Sequence, residues 1–511
     1  MKITLVACNA SYVHTNLAVR AIAQSVREKI PAAEVAIVER SLKDRAGEFL
    51  HALIAEHADI YGFSVYIWNR AVMIELAQKV KLLLPQAKIL LGGPEISFED
   101  ESFFVRFPFV DNILAGEGEE IFADYVRAPA PVHTILRGAP YEGFASAGIL
   151  YDSFPAGEHS GGILYYESSR GCPFSCSYCL SSATRGVRAK DARTVIEELD
   201  AFARTGNIQV LKFVDRTFNF DRRRADILWA HIARANYPFA VHCEICADLL
   251  DEENFRVLET VPAGKLQFEA GVQSTNPETL RAIGRVTDTE KLLSALARLK
   301  ALGTIPIHAD LIAGLPHEDF ASFARSFDAV FPVCDELQLG FLKFLPGTKM
   351  RADAEKLGSR YSPVPPYEIL QSDALTYQEL YRLHAVDDIL QRFNNEKWAY
   401  TVRFLLAREV SPFAFFCDLT DACGAVSVRS VSQREAFKLL RDFAVFRYPS
   451  HTREIEDWLA LDWLVNEASS VPLGLSPARE SESGGILTVT GTFGRARIDR
   501  RAHTVTFDSQ Q

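Results

Sequence analysis

Twice along the chain, short apolar runs alternate with amphipathic stretches of helical length, and that rhythm permits few folds. In the first 127 residues the apolar runs are Ile3–Cys8, Glu34–Glu39, Ile60–Tyr66 and Lys88–Gly92. Stretches near Asn16–Lys29, Arg45–Glu56 and Asn69–Leu84 separate them. Apolar strands alternating with helices predict a parallel sheet covered on both faces, a Rossmann-like domain over 1–130. The rhythm resumes after Gly161, with runs at Ile163–Glu167, Val210–Asp215, Ala240–Cys246, Leu266–Val272, Ile305–Ile312 and Leu337–Leu342. Six such units predict a parallel α/β barrel over 161–360, closed or partly open. Between the two, residues 131–160 are rich in proline and glycine and read as a linker. After Pro346–Gly347 the character changes. Residues 365–465 carry helical patterns and many aromatics, and 485–507 read as short hairpins, so 361–511 is expected to be a mixed α/β C-terminal domain. At 511 residues the chain is too long for one ordinary core.

In open α/β sheets ligands sit at the carboxyl ends of the strands. Three strand ends carry suitable loops: Asn9–Ala10–Ser11, Gly92–Gly93–Pro94–Glu95 and Gly116–Glu117–Gly118–Glu119. The plainer alternative is that these glycines only make tight turns.

The chemistry concentrates in Ser169-Arg-Gly-Cys172-Pro-Phe-Ser-Cys176-Ser-Tyr-Cys179. Five of the nine cysteines fall between 172 and 246. In a long chain whose N-terminus lacks the pattern of a secretion signal, this reads as metal or redox chemistry in a reducing cytoplasm. Three thiolates so close can wrap one [4Fe–4S] cluster from a loop, and Gly171 and Pro173 favour a loop. Such a cube usually takes four cysteines. Three leave one iron free to chelate the amino and carboxylate groups of S-adenosylmethionine (SAM). A zinc site would need a fourth ligand from elsewhere in the fold. Buried structural cysteines would not need this spacing.

Strand alternation adds a polar lining. If Glu244 points into the barrel, so do His242 and Cys246. Asp215, Gln273 and Asp310 lie at other carboxyl ends, with Glu269 and His308 in the same registers. Ionisable groups inside a barrel are costly unless they meet something polar. Cys243 and Cys246 are three residues apart on one strand and should face opposite sides. Cys246 then becomes a candidate hydrogen-atom donor.

Cys172–Cys179 matches the C-x3-C-x2-C signature of the radical SAM superfamily. Phe213-Val-Asp-Arg-Thr-Phe-Asn219, Glu269-Ala-Gly-Val-Gln-Ser274 and Asp310-Leu-Ile-Ala-Gly-Leu-Pro316 resemble its cobalamin-binding branch. Leu91-Gly-Gly-Pro-Glu95 and Gly116-Glu-Gly-Glu119 resemble that branch's B12-binding domain, and the tail resembles an uncharacterised domain found on some such proteins. The resemblance implies a cluster held by Cys172, Cys176 and Cys179. It places Tyr178 at the SAM adenine edge, Asp215 near the amino group, and Glu244, Gln273 and Ser274 around the ribose and methionine parts. Arg285 would meet the carboxylate, and Asp310 with the Gly314 turn would complete the adenosine pocket. Ser64, Tyr66, Gly92, Gly93 and Gly116 would line the groove for the cobalamin nucleotide tail. The implied activity is methyl transfer to an unactivated carbon through a 5′-deoxyadenosyl radical and methylcobalamin. A cyclisation or rearrangement without methyl transfer, or a sensor without turnover, is the alternative.

One motif is missing: the D-x-H-x-x-G that gives cobalt a lower histidine in methionine synthase-like domains. His14 reads as a surface or core histidine. Arg185, Arg188, Lys190 and Arg193 read as the solvated start of a barrel helix. Trp398, Tyr400, Phe413, Phe415 and Phe416 read as core of the last domain. The net charge of −11 argues against a broad nucleic-acid surface, and no apolar run is long enough to span a membrane. The expected partners are a small-molecule or peptide substrate and a reductant such as flavodoxin or ferredoxin.

Overall fold

The computed structural model describes residues 1–11, 13–147, 162–183, 186–205, 208–396, 398–424, 426–467, 471–475, 478–483, 486–499 and 504–508. Its first sheet is parallel and has the strand order β2-β1-β3-β4-β5-β6. The strands are β1 (Lys2–Asn9), β2 (Glu34–Ser41), β3 (Ile60–Ser64), β4 (Lys88–Gly92), β5 (Asn112–Ala115) and β6 (Thr134–Arg137). The intervening helices include α1 (Leu17–Lys29), α2 (Ala46–Ala55), α3 (Arg70–Leu83), α4 (Ser102–Arg106) and α5 (Gly118–Arg127). Alternate strand residues feed separate cores, as a two-residue period requires. Val6, Cys8, Phe63, Ile89 and Leu91 pack with Phe49, Leu53, Met73 and Leu76 of α2 and α3. Ile3, Leu5, Ala7, Ile60 and Leu90 pack with Val19, Val26, Phe122 and Tyr125 of α1 and α5. The Asn16 side chain caps α1 by accepting from the Val19 amide at 3.2 Å.

The predicted linker is partly sheet. β6 pairs in parallel with β5, so the first domain runs past residue 130. The rest of the predicted linker, from 148, lies outside the described residues.

The second parallel sheet has the order β14-β13-β12-β11-β10-β7. Its strands are β7 (Gly162–Tyr166), β10 (Ile208–Phe213), β11 (Ala240–Ile245), β12 (Leu266–Gln273), β13 (Ile307–Ala313) and β14 (Glu336–Phe341). β7 and β14 are its edges, so the predicted barrel is the open, partial form. After β7 comes a separate antiparallel pair, β8 (Ser169–Cys172) and β9 (Gly186–Ala189), which the apolar rhythm did not announce.

The chain divides into two compact units. The first comprises Met1–Gly271, Arg281–Pro306 and Leu342–Ile369; the second comprises Val272–Leu280, Ile307–Phe341 and Leu370–Gln511. In the second unit, Asp328 near the end of helix Phe320–Val330 caps helix Pro412–Cys423. It accepts from Ser411 Oγ at 2.6 Å and from the Phe413 amide at 2.8 Å. Phe413 packs edge-on against Phe320 and Phe327. A π-helical turn, Gln391–Glu396, brings Asn395 Nδ2 within 2.8 Å of the Leu337 carbonyl on β14. Trp398, Phe413, Phe415 and Phe416 are buried as expected. The hairpins expected near the end form an antiparallel sheet of Ala478–Ser483, Ile486–Gly491, Gly494–Asp499 and Thr504–Phe507. Among the described residues no helix is long and apolar enough to cross a membrane.

Candidate active site

The three cysteines sit on one loop whose base is the β8–β9 pair. Cys172 lies opposite Gly186, Gly171 opposite Val187 and Arg170 opposite Arg188. Gly171 has φ +100°, and a Cβ there would stand 2.2 Å from the Gly186 carbonyl oxygen. Only glycine lets the strands approach this closely. Inside the loop the Cys179 amide donates to the Cys176 carbonyl at 3.1 Å. The Ser177 amide donates to Ile283, and Ser177 accepts from Met350, at 2.8 and 2.9 Å. Cys172 Sγ is 3.6 Å from Thr217 Oγ1. Cys176 is buried; burial pushes its thiol up while the Arg285 guanidinium pulls it back. Arg285 also faces Tyr178 and Cys246, and it donates to the Gly271 carbonyl. Its Nε, like Ser177 Oγ, is buried without a hydrogen-bond partner. Among the described residues no three His, Cys, Asp or Glu side chains gather around a single point as a mononuclear ion needs. A cube holds its thiolates further apart than one ion does.

Asp215 has a different part from the one the resemblance implies. It is fully buried. Its carboxylate accepts from the Ser168 amide at 2.8 Å and from the Ser168 and Ser169 hydroxyls at 2.6 Å each. Both oxygens accept from Ser168 and Ser169, so the buried carboxylate holds the segment that enters β8. Glu244 is the contrary case. Among the described residues it has neither a hydrogen bond nor an ion pair, and burial raises its carboxyl despite Arg216. On the same face, Glu269 accepts from Lys212 Nζ at 3.0 Å and pairs with His242 Nε2 at 2.8 Å. Those partners outweigh its burial and hold it down at about 2. Cys246 donates through Sγ to Asp248 Oδ1 at 2.9 Å, and Asn219 pins its backbone amide and carbonyl at 2.9 Å each. Cys243 is buried beside Trp229 on the other side of the strand, as the alternation predicts.

A cavity of about 780 Å³ opens at the carboxyl ends of the first sheet. Ser64, Tyr66, Gly92, Gly93 and Gly116 line it, with Trp68 stacked on Tyr66 at 4.4 Å. Gly93 has φ +107°, and a Cβ there would stand 2.5 Å from the Val65 carbonyl. The far wall comes from Tyr165, Glu167, Arg170, Leu180, Val214 and Arg216. The cavity therefore reaches from the first domain to the cysteine loop, on which Leu180 follows Cys179. His14 belongs to this wall and is not a surface or core residue: its Nδ1 lies 2.7 Å from Tyr165 Oη. Burial, then Lys212, lowers its imidazole below the ordinary histidine range. Sequence reasoning undervalued it because a loop histidine carries no periodicity.

Three family descriptions match the chain: B12 binding domain over 3–126, radical SAM superfamily over 166–330, and a protein of unknown function, DUF4080, over 355–485. The chain thus carries a region matching the radical SAM superfamily and, before it, one matching a B12 binding domain. Among curated relatives it is similar to the cobalamin-dependent radical SAM methyltransferase TokK of Streptomyces tokunonensis. Identity there is 25% over 365 residues, covering 62% of this chain and 53% of TokK. It is also similar to the 2-(S-pantetheinyl)-carbapenam-3-carboxylate methyltransferase of Streptantibioticus cattleyicolor, at 28% over 302 residues, 52% of this chain and 44% of that protein. The chain thus spans about half the length of these relatives. Among solved structures, OxsB with aqua-cobalamin bound superposes with a TM-score of 0.61 at 16% identity, covering 91% of this chain and 79% of that one. The radical SAM methyltransferase TsrM from Kitasatospora setae, with cobalamin and a [4Fe–4S] cluster, gives 0.57 at 17%, covering 74% and 82%. These two likenesses show a shared fold.

The other residues expected at the site lie in the second unit. On β13, His308 and Asp310 share one face, as expected. Gln273, at the end of β12, holds φ +72°, and its Oε1 is buried without a partner. A non-glycine residue held there is a strained position of the kind found at ligand sites. Ser274 donates to Glu318 Oε1 at 2.7 Å, and Ser326 donates to the same oxygen at 3.0 Å. Glu318 follows the Gly314 turn, where Gly314 has φ +86°, and it is fully buried with Oε2 unpartnered. Burial raises its carboxyl to about 7 against the pull of the two serines. The folded value lies above the unfolded one. The neutral group's stability is therefore complete below about pH 4.5 and is lost as pH rises through about 7. Glu318→Gln keeps the acceptor and removes the charge. It is expected to raise stability at pH 8 by about 2–3 kcal/mol and to leave pH 4.5 nearly unchanged. Denaturant unfolding at the two pH values checks it.

The basic cluster is also corrected. Lys190 is buried and donates to both Glu198 oxygens at 2.9 Å. Arg188 reaches Glu117. Only Arg193, paired with Glu197, is solvated. Arg185 lies outside the described residues.

Proposed function

We propose that this protein is a cobalamin-dependent radical SAM methyltransferase acting on an unactivated carbon. The observation that carries the reading is the single cavity bounded by a Rossmann-type strand-end loop set on one side and the cysteine loop on the other. The residues fit the implied groups. Cys172, Cys176 and Cys179 offer three thiols from one loop. Glu244 and the buried, unpartnered Arg285 Nε and Ser177 Oγ are groups that a zwitterionic, hydroxyl-bearing ligand would satisfy. Gly92, Gly93 and Gly116 let a bulky ligand approach the backbone, with Tyr66 and Trp68 as an apolar wall. Bound together, these groups supply removal of a hydrogen atom and delivery of a methyl group.

The chain's own residues position and exclude. Asp215 fixes the entry to the cysteine loop. Tyr178 packs beside Cys176. Arg285 offers a cation for a carboxylate beside the thiols. The reading goes with a small-molecule or peptide substrate, a flavodoxin- or ferredoxin-type reductant and a cytoplasmic location. Anaerobic reconstitution with iron, sulfide and cobalamin, followed by SAM product analysis, tests it. Matched formation of S-adenosylhomocysteine and 5′-deoxyadenosine is expected with substrate. 5′-Deoxyadenosine alone would overturn methyl transfer, and absence of cobalamin binding would remove the cofactor.

Methyl transfer returns no hydrogen atom to the substrate, and the Cys246 thiol already points at Asp248. Cys246→Ala is therefore expected to keep product formation within about threefold. Loss of product with SAM cleavage intact would assign Cys246 as a hydrogen donor.

A further inference from the structure

The two strands at the base of the cysteine loop each carry an arginine, and both arginines are held by the same residue of the first domain. Glu117 Oε2 accepts from Arg170 Nη1 at 2.7 Å and from Arg188 Nη1 at 3.2 Å, and Glu117 Oε1 accepts from Arg188 Nη2. Glu117 Oε2 also accepts from the Tyr141 amide at 2.8 Å, and Arg188 donates to the Tyr141 carbonyl at 2.7 Å. Arg170 adds bonds to Glu119 at 2.9 Å and Glu167 at 2.8 Å, and its guanidinium lies 4.6 Å from the Phe144 ring centroid. Glu117 and Arg170 are each 19% exposed at the side chain, so water screens these pairs only in part.

The placement gives the network a direction. Glu117 sits at the N-cap of α5, and Gly116, Glu117, Gly118, Glu119, Glu167 and Arg170 all line the cavity. A ligand filling the cavity touches the same residues that hold β8. Arg170 is two residues from Cys172, and Arg188 lies directly across from Arg170 on the returning strand. Whatever fixes Glu117 fixes both ends of the loop at once.

We infer that Glu117 is a positioning residue through which occupancy of the cobalamin cavity and retention of the iron–sulfur cluster are energetically coupled. The inference rests on the cofactor reading above and adds a linkage between its two sites. Such coupling is reciprocal: each cofactor strengthens the hold on the other by the same factor.

The test uses the full chain. Hydroxocobalamin affinity is measured anaerobically with the cluster reconstituted and again after the iron is stripped. The ratio of the two dissociation constants is the coupling. Wild type is expected to bind about tenfold more tightly with the cluster in place, within the usual span of such couplings. At equilibrium with a competing chelator, iron retention should rise by the same factor when hydroxocobalamin is bound. In Glu117→Gln the ratio is expected to fall to near one, with a lowered thermal midpoint because two part-buried arginines lose their shared carboxylate. Arg188→Gln, which removes one of the two cations, should give an intermediate ratio and serves if the first variant does not fold. A wild-type ratio of one, or an undiminished ratio in both variants, overturns the coupling while leaving the cofactor reading standing. A wild-type chain that takes no hydroxocobalamin overturns both.

Discussion

Cys176→Ser is expected to abolish reductive cleavage of SAM, with iron content falling well below that of the wild type after the same reconstitution. Cys176 is the buried member of the three and the one that faces both Arg285 and Tyr178. A serine hydroxyl keeps the volume but is a far poorer ligand for iron than a thiolate. Losing a partner outside the ligand shell costs metal affinity or activity by about 10–100-fold, so losing a ligand should cost more. Iron and sulfide determination, absorbance near the thiolate-to-iron bands and 5′-deoxyadenosine release check it. The first domain is built from different elements, so hydroxocobalamin should still bind, at the weaker affinity of the cluster-free chain. Full cleavage in Cys176→Ser would mean that the loop is not the cluster site.

Gly171→Ala is expected to cost about 2–4 kcal/mol of stability and to prevent stable cluster assembly. Two effects add. At φ +100° an alanine pays a conformational cost of order 1–3 kcal/mol. Its Cβ also falls 2.2 Å from the Gly186 carbonyl, so β8 and β9 must part. Gly186 gives the control. It has φ +80°, yet a Cβ there meets nothing within 4 Å. Gly186→Ala should therefore show the conformational cost alone, about 1–2 kcal/mol, and keep its cluster. Equal losses in the two variants, read from unfolding midpoints and iron content, would show that strand separation has no part.

The parts legible in the sequence were those with period or fixed spacing. β4 was expected at Lys88–Gly92 and is found there; α1, α2 and α3 lie within a residue or two of their expected stretches. The six strands of the second sheet were all anticipated, because each sets apolar residues at successive or alternate positions over strand length, as β12 and β13 show by burying every second residue. β5 was implied only by the strand-end loop at Gly116 and given no range, and β6 was not anticipated; each is only four residues long, and β6 sits among prolines that mask it. The β8–β9 pair was invisible because only Val187 and Ala189 among its residues are apolar apart from Cys172, and both its arginines are held by a glutamate over fifty residues away. Charge patterning read Lys190 as solvated, whereas its partner Glu198 lies eight residues on and carries it into the interior. The Asp215 position was right at the strand's end, but its direction was not, since the competing serines at 168 and 169 cannot be placed from spacing.

The capping of helix Pro412–Cys423 by Asp328, and the bond from Asn395 to the edge strand β14, bear on how such chains can be recombined. The seam along which the C-terminal segment could be exchanged does not lie after the barrel, where the family boundaries fall. Strand β14 and helix Phe320–Val330 share their interior with residues beyond 390. A shuffled gene joined near residue 355 would inherit an edge strand without its Asn395 bond and a helix with an uncovered row of phenylalanines. Descent should therefore have kept the last third of the barrel and the tail together as one heritable block.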